Sequence, residues 1–214
     1  MKKSILLFLM SFLVIYSNAQ FESAKQVFES PKLKQEVAKH KIIAILPFNA
    51  TISYKRVPKN FDEQSNKKEE ATLAYNLQSG MYTYLLRKSK DFFVTFQDIE
   101  RTNALLKQAG VYDKLAELTQ DSIAKLLKVD AVIKCSYAYE KTGSEGGAIV
   151  KSILLGAGTG KVASGELTMQ LYNGADGELL WRFYKQMNED VMSSANAMME
   201  RMMRKVGRNF PYEK

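Results

Sequence analysis

A continuous apolar run near residue 42 constrains the fold of this chain more than any other feature. Residues 40–48 read HKIIAILPF, in which five apolar residues, most of them β-branched, follow one another without a polar interruption. A strand with one face in water alternates apolar and polar residues, whereas a strand covered on both faces does not. The run therefore predicts a central strand of an α/β sheet, and Pro47 is expected to end it.

Helical and strand periodicities alternate after this run. Apolar residues at helical spacing predict a long helix that ends near Arg87 and Lys88: Leu73, Leu77, Met81, Tyr84 and Leu85. Residues 92–96, FFVTF, predict a second strand. Asp98 and Thr119 are predicted to cap the two helices that follow.

The second half of the chain alternates with the period of strands. Residues 130–140 predict a third strand with one apolar face: Ala131, Ile133, Cys135, Tyr137 and Tyr139. Residues 167–171 and 179–183 flank the turn-forming sequence NGADG and predict a β-hairpin. Asn188, with Glu189 and Asp190, is expected to open the last helix. We predict an α/β fold of three layers, with a mixed sheet of about five strands and helices on both faces.

The N-terminus has the features of a secretory signal peptide. Lys2 and Lys3 precede an apolar run over residues 5–16, and small residues then favour cleavage between Ala19 and Gln20. A membrane anchor, the alternative, needs about 20 apolar residues. We predict a periplasmic or secreted protein that is soluble after cleavage, with association to the outer membrane left open.

The predicted mature chain divides into two parts. Residues 20–39 are charged and broken at Pro31, so we expect an N-terminal arm outside the core. Residues 40–214 are predicted to form a single α/β domain with a Gly-rich insert at 143–165. No internal repeat or long polar linker divides this domain.

One histidine and one cysteine leave little material for metal or nucleophile chemistry. Tetrahedral zinc needs several nitrogen or sulfur ligands, and a catalytic cysteine needs a paired base. Cys135 lies in an apolar alternation, which predicts a buried and inert thiol. His40, at the edge of a buried strand, is interpreted as packed or solvent-facing. We therefore predict no enzyme activity, no catalytic or metal-binding residues and no cofactor, although a carboxylate pair that meets only in space would leave a hydrolase as a residual alternative.

The sequence GAGTGK at 156–161 resembles a nucleotide-binding loop. A P-loop requires Gly five residues before its Gly-Lys pair and Ser or Thr after the Lys, but Leu155 and Val162 occupy these positions. A dinucleotide fingerprint would require a helix to follow, whereas an alternating strand follows here. Nucleotide binding is not favoured.

Two apolar segments are candidates for contact with a partner. The insert at 143–165 holds seven of the twelve glycines and is either a flexible surface loop or a docking segment, whose candidate interface residues are Ile149, Val150, Ile153 and Leu154. In the last helix Met198 and Met202 are expected in the core. Additional methionines lie beside that face and are candidate interface residues: Met192, Met199 and Met203.

The chain is basic, with 31 Lys plus Arg against 23 Asp plus Glu. A cluster near the C-terminus is the candidate for an anionic contact: Arg201, Arg204, Lys205 and Arg208. Its targets would be an anionic membrane surface or a cell-wall polymer, and nucleic acid is not expected for an exported protein without a recognition motif. The alternative is that these side chains only complement the helix C-terminus in solvent.

Several of these segments together resemble a known family. They are the leader, IIAILPF at 42–48, the long helix, FFVTFQDIERTNALL at 92–106, LLKVDAVIKCSY at 126–137 and GELLW at 177–181. The chain resembles the bacterial envelope superfamily that includes the curli secretion channel subunit, the outer-membrane lipoprotein activators of peptidoglycan synthases and the amino-terminal domain of TolB. The resemblance implies a three-layer mixed sheet similar to an anticodon-binding domain, and a protein that binds or assembles with other envelope proteins.

The chain also departs from that family. Many relatives carry a lipid-bearing Cys after the leader, and Cys135 lies far downstream. The channel relative builds a barrel from two hairpins per subunit, while only the insert at 143–165 is present here. Lys134 and Cys135 stand where relatives commonly have Gly. We predict an exported non-catalytic envelope protein that binds periplasmic or outer-membrane proteins, or further copies of itself, with an oligomeric outer-membrane assembly or secretion subunit as the alternative.

Overall fold

A computed structural model describes residues 25–141, 162–190 and 195–214 of the 214 residues. These residues form one mixed sheet with the strands Gln26–Glu29 (β1), Ile42–Ile45 (β2), Asn49–Tyr54 (β3), Thr95–Phe96 (β4), Ala131–Lys141 (β5), Val162–Asn173 (β6) and Leu179–Asp190 (β7). The α-helices are Leu33–Val37 (α1), Glu63–Arg87 (α2), Ile99–Gln108 (α3), Gln120–Leu127 (α4) and Ala195–Val206 (α5). Short 3₁₀ helices cover Ser89–Asp91, Tyr112–Glu117 and Gly207–Asn209.

The sheet joins a parallel part to an antiparallel part. Its strand order is β1-β7-β6-β5-β2-β4, and β3 pairs with β5 beyond the end of β2. β2 is parallel to both β4 and β5, whereas β5, β6, β7 and β1 are antiparallel to one another in turn. The predicted α/β class and mixed sheet are confirmed. The expected number of about five strands is too low, because β1 and β3 were not predicted.

β2 and β3 both pair with β5, one after the other along its length. β2 pairs with β5 up to Ile45 opposite Ile133, and β3 resumes with Asn49 opposite Ser136. Pro47 lies in the interruption, where it has no backbone N–H to give to a ladder. The prediction that Pro47 ends the central strand is confirmed.

Two apolar clusters cover the two faces of the sheet. On one face, Ile43, Ile45 and Ile133 are buried with the apolar residues of α2 and α5. On the other face, Ala44, Leu46 and Val132 are buried with α3 and α4. Because adjacent residues of β2 are buried on opposite faces, its sequence has no polar alternation. The prediction of helices on both faces is confirmed.

Helix α2 begins about three turns before the first of its predicted apolar residues, and its predicted apolar face is buried. The Asp62 carboxylate accepts a hydrogen bond from the Ser65 N–H at 2.8 Å and caps the helix. All five residues of the predicted face are buried: Leu73, Leu77, Met81, Tyr84 and Leu85. No helix in the described part of the chain is long and apolar enough to cross a membrane.

The predicted caps of α3 and α4 differ in outcome. Asp98 accepts from the Arg101 N–H at 3.0 Å, as expected of a cap. Thr119 does precede α4, but its hydroxyl lies 2.7 Å from the Ser122 hydroxyl and makes no capping bond to the backbone.

Two predicted boundaries are wrong. The strand expected over residues 92–96 is reduced to Thr95–Phe96, because Phe92 pairs instead in an isolated bridge with Glu213. Residues 188–190 do not open the last helix: they form the end of β7 and pair with residues 162–164 of β6, and the helix begins at Ala195. The long hairpin supplies backbone partners that outweigh a local capping preference.

The expected N-terminal arm contributes to the domain. β1 pairs with β7, and Leu33 and Val37 of α1 are both buried. The prediction that residues 20–39 lie outside the core is therefore wrong for the part that the structure describes. The sequence signal is weak because β1 has only four residues, all of them exposed.

The end of the predicted Gly-rich insert belongs to β6. Residues 162–165 pair with the end of β7, and residues 163–165 also pair with the end of β5, so the insert boundary at 165 is wrong, while residues 143–161 lie outside the described part of the chain. Gly165 has a specific role, because a Cβ there would collide with the Tyr137 side chain. The glycine lets that ring lie across the neighbouring strand.

Candidate functional site

The two crossovers of the parallel part run in opposite directions across the sheet. From β2 the chain passes through α2 to β4 on one side, and from β4 it returns through α3 and α4 to β5 on the other side. Crossovers of one hand that move in opposite directions place their helices on opposite faces. A crevice therefore opens beyond the carboxyl end of β2, the place where open α/β sheets usually bind ligands.

A cleft of about 420 Å³ lies at this point. We call it the switch-point cleft. Its walls are residues 46–49, one face of α2 and the 3₁₀ helix Tyr112–Glu117, and Lys134 and Cys135 of β5 also line it. The α2 face consists of residues at helical spacing: Ala71, Ala74, Tyr75 and Gln78. Small-molecule sites in proteins occupy roughly 300–1,000 Å³, so the cleft has the size of such a site.

A buried amide pair braces the inner wall of the cleft. The Gln78 side-chain amide donates to the Ile45 carbonyl at 2.9 Å and to the Asn103 side-chain oxygen at 3.1 Å. Asn103 donates back to the Gln78 oxygen at 2.9 Å. Both side chains are buried, and their mutual bonds remove the free-energy cost of unpaired amides. The pair ties α2 and α3 to the end of β2, where the strand pairing stops.

Two tyrosines stand at the opening of the cleft. The Tyr75 hydroxyl donates to the Glu100 carboxylate at 2.7 Å, and this bond, followed by the carboxylate charge, raises the pKa of Tyr75. Burial, with a smaller contribution from the Asp113 charge, raises the pKa of Tyr112. Both phenols are therefore neutral at physiological pH. They offer ring surface and hydrogen bonds, but no base.

The remaining polar groups of the cleft come from different elements. Lys134 is half-buried on β5, in the gap of the strand pairing between Ile133 and Ser136. Within the described part of the chain, its ammonium group has no hydrogen-bond or ion-pair partner. Gln120 opens α4, and its side-chain oxygen Oε1 is buried without a hydrogen-bond partner among the described residues. A donor and an acceptor thus remain available in the same cleft.

The histidine lies elsewhere, in a packed polar contact. His40 Nδ1 is 2.7 Å from the Tyr212 hydroxyl, and Nε2 is 3.2 Å from the Asn173 side-chain oxygen. Burial lowers the pKa of His40 and raises the pKa of Tyr212. The interpretation of His40 as a packed residue is confirmed, since it joins the C-terminal segment to the β6 end of the hairpin.

Cys135 is also buried, as predicted. Burial alone raises the pKa of its thiol, so the thiolate form is suppressed. Among the described residues, no group of three or more His, Cys, Asp and Glu could hold a metal ion.

The methionine prediction needs a correction. Met198 and Met202 are buried, as expected, but Met199 and Met203 are also buried at 0% and 1% exposure. The candidate interface is therefore wrong for Met199 and Met203, because α5 packs against α2 as well as the sheet and covers a wide apolar face. The other candidates lie outside the described residues: Ile149, Val150, Ile153, Leu154 and Met192, together with the cleavage residues Ala19 and Gln20.

The basic candidates differ in their surroundings. Arg204 and Lys205 are exposed and Arg201 is half-buried, while the side chain of Arg208 is not among those described. Arg204 lies 3.3 Å from Glu200, which also lies 3.2 Å from Arg87. Part of this positive charge is therefore balanced within the chain. Among the basic candidates whose side chains are described, none lines the switch-point cleft.

The sequence did not identify the cleft. The residues that line it are spread from 46 to 135, and each segment looks ordinary when considered alone. A usable signal did exist: Pro47 directly after the central strand marks the carboxyl end of that strand. The sequence predicts a buried thiol at Cys135 and a departure from the family pattern at Lys134 and Cys135, but only the structure places both residues in the cleft.

Comparisons with known proteins give structural neighbours but no sequence relatives. No family model matches the chain, and no curated protein matches it. A lipoprotein, GNA1162 from Neisseria meningitidis, has a TM-score of 0.48 at 11% identity, over 79% of this chain and 96% of the other. The PelC dodecamer from Paraburkholderia phytofirmans has a TM-score of 0.38 at 12% identity, over 90% and 100%.

The C-terminal domain of LpoB from Salmonella enterica is a third neighbour, with a TM-score of 0.35 at 11% identity, over 73% of this chain and 96% of the other. At these identities the likeness concerns the fold alone, so no activity, ligand or partner is taken from these proteins. All three TM-scores are below 0.5, so the likeness assigns the chain to no family.

Proposed function

We propose that this chain is an exported, non-catalytic envelope protein that binds other periplasmic or outer-membrane proteins, or further copies of itself, through the edge of its sheet. The tripartite leader at residues 1–19 supports export. The observation that carries the binding proposal is the exposed apolar edge strand β1.

β1 lies at one end of the sheet formed by the described residues. All four of its residues are exposed, including Val27 at 37% and Phe28 at 48%. Proteins usually protect an edge strand with charges, prolines or a covering element, because an unprotected edge pairs readily with another chain. β1 places two apolar side chains at its centre and has no proline.

Every second residue of β1 directs its backbone N–H and C=O groups away from β7. Ser30 donates its N–H to the carbonyl of Leu180 in β7 at 2.8 Å. In an antiparallel ladder every second residue bonds to the neighbouring strand, so Phe28 and Gln26 also face β7. The N–H groups of Val27 and Glu29 therefore point away from the sheet. A strand from a partner could pair with them and cover Val27 and Phe28.

Site-specific crosslinking in cells tests this proposal. A photo-crosslinking amino acid replaces Phe28, and the matched control replaces Phe61, an aromatic residue of similar exposure (42%) far from β1 in sequence. We expect a discrete crosslinked product from position 28 and none from position 61. Mass spectrometry of the product distinguishes a second copy of the chain from another envelope protein.

A backbone variant sharpens the test. Val27→Pro removes an outward N–H and keeps the bonds to β7, so the crosslinking yield at position 28 should fall about five-fold, the equivalent of one hydrogen bond of about 1 kcal/mol. Equal yields from positions 28 and 61, or a yield that Val27→Pro leaves unchanged, would contradict pairing at this edge.

The alternative function is an oligomeric outer-membrane assembly or secretion subunit that uses the insert. It is favoured by the apolar sequence AIVKSILL at 148–155 within glycine-rich flanks. Membrane fractionation and size-exclusion chromatography of the chain, with and without residues 144–161, separate the two functions. An edge-binding protein keeps its distribution after this deletion, whereas an insert-dependent subunit loses membrane association or its oligomer.

A further inference from the structure

We propose that the switch-point cleft binds a small organic molecule with a single carboxylate and a hydrogen-bond donor on the first or second carbon from it. Free α-amino acids and acidic sugars share this chemistry. The proposal concerns a site on the opposite side of β5 from the edge strand β1. Binding in the cleft requires no partner protein. Either proposal can therefore fail while the other stands.

The position and size of the cleft favour a ligand of a few carbon atoms. The cleft lies beyond the carboxyl end of β2 and between helices of opposite faces, and its volume is about 420 Å³. Most of its walls are apolar or aromatic, as in Leu46, Phe48 and Leu115. An inorganic anion would leave this apolar surface unused, whereas a short organic chain would cover it.

Lys134 supplies the positive charge. It is half-buried and lines the cleft, and no described residue pairs with its ammonium group. A half-buried cation without a partner gains from an incoming anion, because the interaction is less screened than at an open surface. Lys134 lies between the part of β5 that pairs with β2 and the part that pairs with β3. Neither of these strands therefore fills the space beside Lys134.

Gln120 requires a donor from the ligand. Its Oε1 is buried and lacks a hydrogen-bond partner among the described residues, although it lines the cleft. A buried acceptor without a partner raises the free energy of the folded chain, and a ligand N–H or O–H would remove that cost. Lys134 and Gln120 together therefore select a molecule with both a carboxylate and a donor.

Asp113 restricts the number of negative charges that the ligand can carry. Its carboxylate is exposed and also lines the cleft. A ligand with two carboxylates would be repelled by the Asp113 carboxylate. A ligand with one carboxylate can orient it toward Lys134 and away from Asp113. An ammonium group beside the carboxylate would gain from Asp113, so an amino acid fits both charges and a uronic acid fits Lys134 with Gln120.

Binding to the purified chain is measured by isothermal titration and by NMR shifts of the backbone amides. The probes are L-leucine and D-glucuronate. Each has matched analogues: leucinol and D-glucose lack the carboxylate, and 4-methylpentanoate keeps the carboxylate but lacks the amine. We expect leucine or glucuronate to bind with a Kd below about 1 mM and every analogue to bind about ten-fold more weakly. The probe that binds identifies the source of the ligand.

Two variants and one control test the assigned residues. Lys134→Gln should weaken binding about ten-fold, while Lys34→Gln, an exposed lysine of α1, should leave it unchanged. Ala74→Phe fills the cleft from α2 without removing a charge and should abolish binding. In the unaltered chain the amides of Lys134 and Gln120 should shift on titration, which tests the site even if a variant does not fold.

Three results would overturn the proposal. The first is that neither carboxylate binds more tightly than its analogue without the carboxylate. The second is that Lys134→Gln and Lys34→Gln have equal affinities. The third is that the NMR shifts fall outside the cleft.

Discussion

The parallel and antiparallel parts of the sheet both consist of strands rich in apolar residues, but they differ in how many of their faces are covered by helices. In β5, adjacent residues Val132 and Ile133 are both buried, each under a different helix layer. In β7, Phe183 is buried and its neighbour Arg182 is exposed. The parallel part therefore has a closed interior, in which a ligand can enter only at the strand ends. Among the described residues, the antiparallel part leaves one face and the edge strand β1 exposed, and we propose that another protein pairs there.

The largest expected effects come from substitutions at the three buried positions of these four, with exposed Arg182 as the control. Phe183→Ala should lower the free energy of unfolding by about 3–5 kcal/mol, and Ile133→Ala by about 2–5 kcal/mol. Val132→Ala should also be costly, at about 2 kcal/mol, whereas Arg182→Ala should change stability by less than about 0.5 kcal/mol. Urea unfolding measures all four. If Arg182→Ala and Val132→Ala had equal effects, the two parts of the sheet would not differ as described.

The next effect concerns the close contact within the antiparallel part. Gly165→Ala places a methyl group against the Tyr137 ring and should cost about 1–3 kcal/mol. The nearest atom to that methyl group is the Tyr137 hydroxyl oxygen, so the cost of Gly165→Ala should be smaller in a Tyr137→Phe background. A double-mutant cycle measures this coupling. Strict additivity would show that the ring does not lie across Gly165.

A comparable effect is expected at the cleft in the parallel part. Gln78→Leu leaves the Ile45 carbonyl and the Asn103 amide without their bonds and should cost about 1–3 kcal/mol. The double variant Gln78→Leu with Asn103→Leu should cost less than the two single variants together, because neither side-chain amide is then left without the other. Thermal unfolding of the three variants measures the difference. An additive result would argue against a mutual amide pair.

The smallest effect is a dependence of stability on pH. Burial lowers the pKa of His40 in the folded state below its ordinary value of 6.5. The unfolded chain therefore takes up a proton first as the pH falls, so the stability present above pH 6.5 decreases below it. The slope contributed by this single group cannot exceed about 1.4 kcal/mol per pH unit. Urea unfolding between about pH 7.5 and about pH 5.5 should show a shallower slope in His40→Gln than in the unaltered chain.

Much of the parallel part could be predicted from local periodicity. The run at 42–46 has no polar interruption because both of its faces are covered, and the α2 stripe has helical spacing because one side meets the sheet. Asp98 was recognisable as a cap because its effect is confined to one helical turn.

The missed elements depend on distant partners. β1 has only exposed side chains, so its strand conformation comes from pairing with β7, more than 150 residues later. Residues 188–190 have the composition of a helix start, yet β6 supplies their backbone partners. Met199 and Met203 are covered because α5 packs on α2 as well as the sheet, a contact that no local pattern indicates.

The amino-acid order alone determined which segments form helices or strands and which faces are apolar, because these depend on spacings of two to four residues. Only the tertiary structure decided which strands are neighbours, which edge remains open and where Lys134, Gln120 and α2 meet. These features depend on contacts between residues far apart in sequence, and the free energy that selects them is the burial and backbone pairing of the whole sheet.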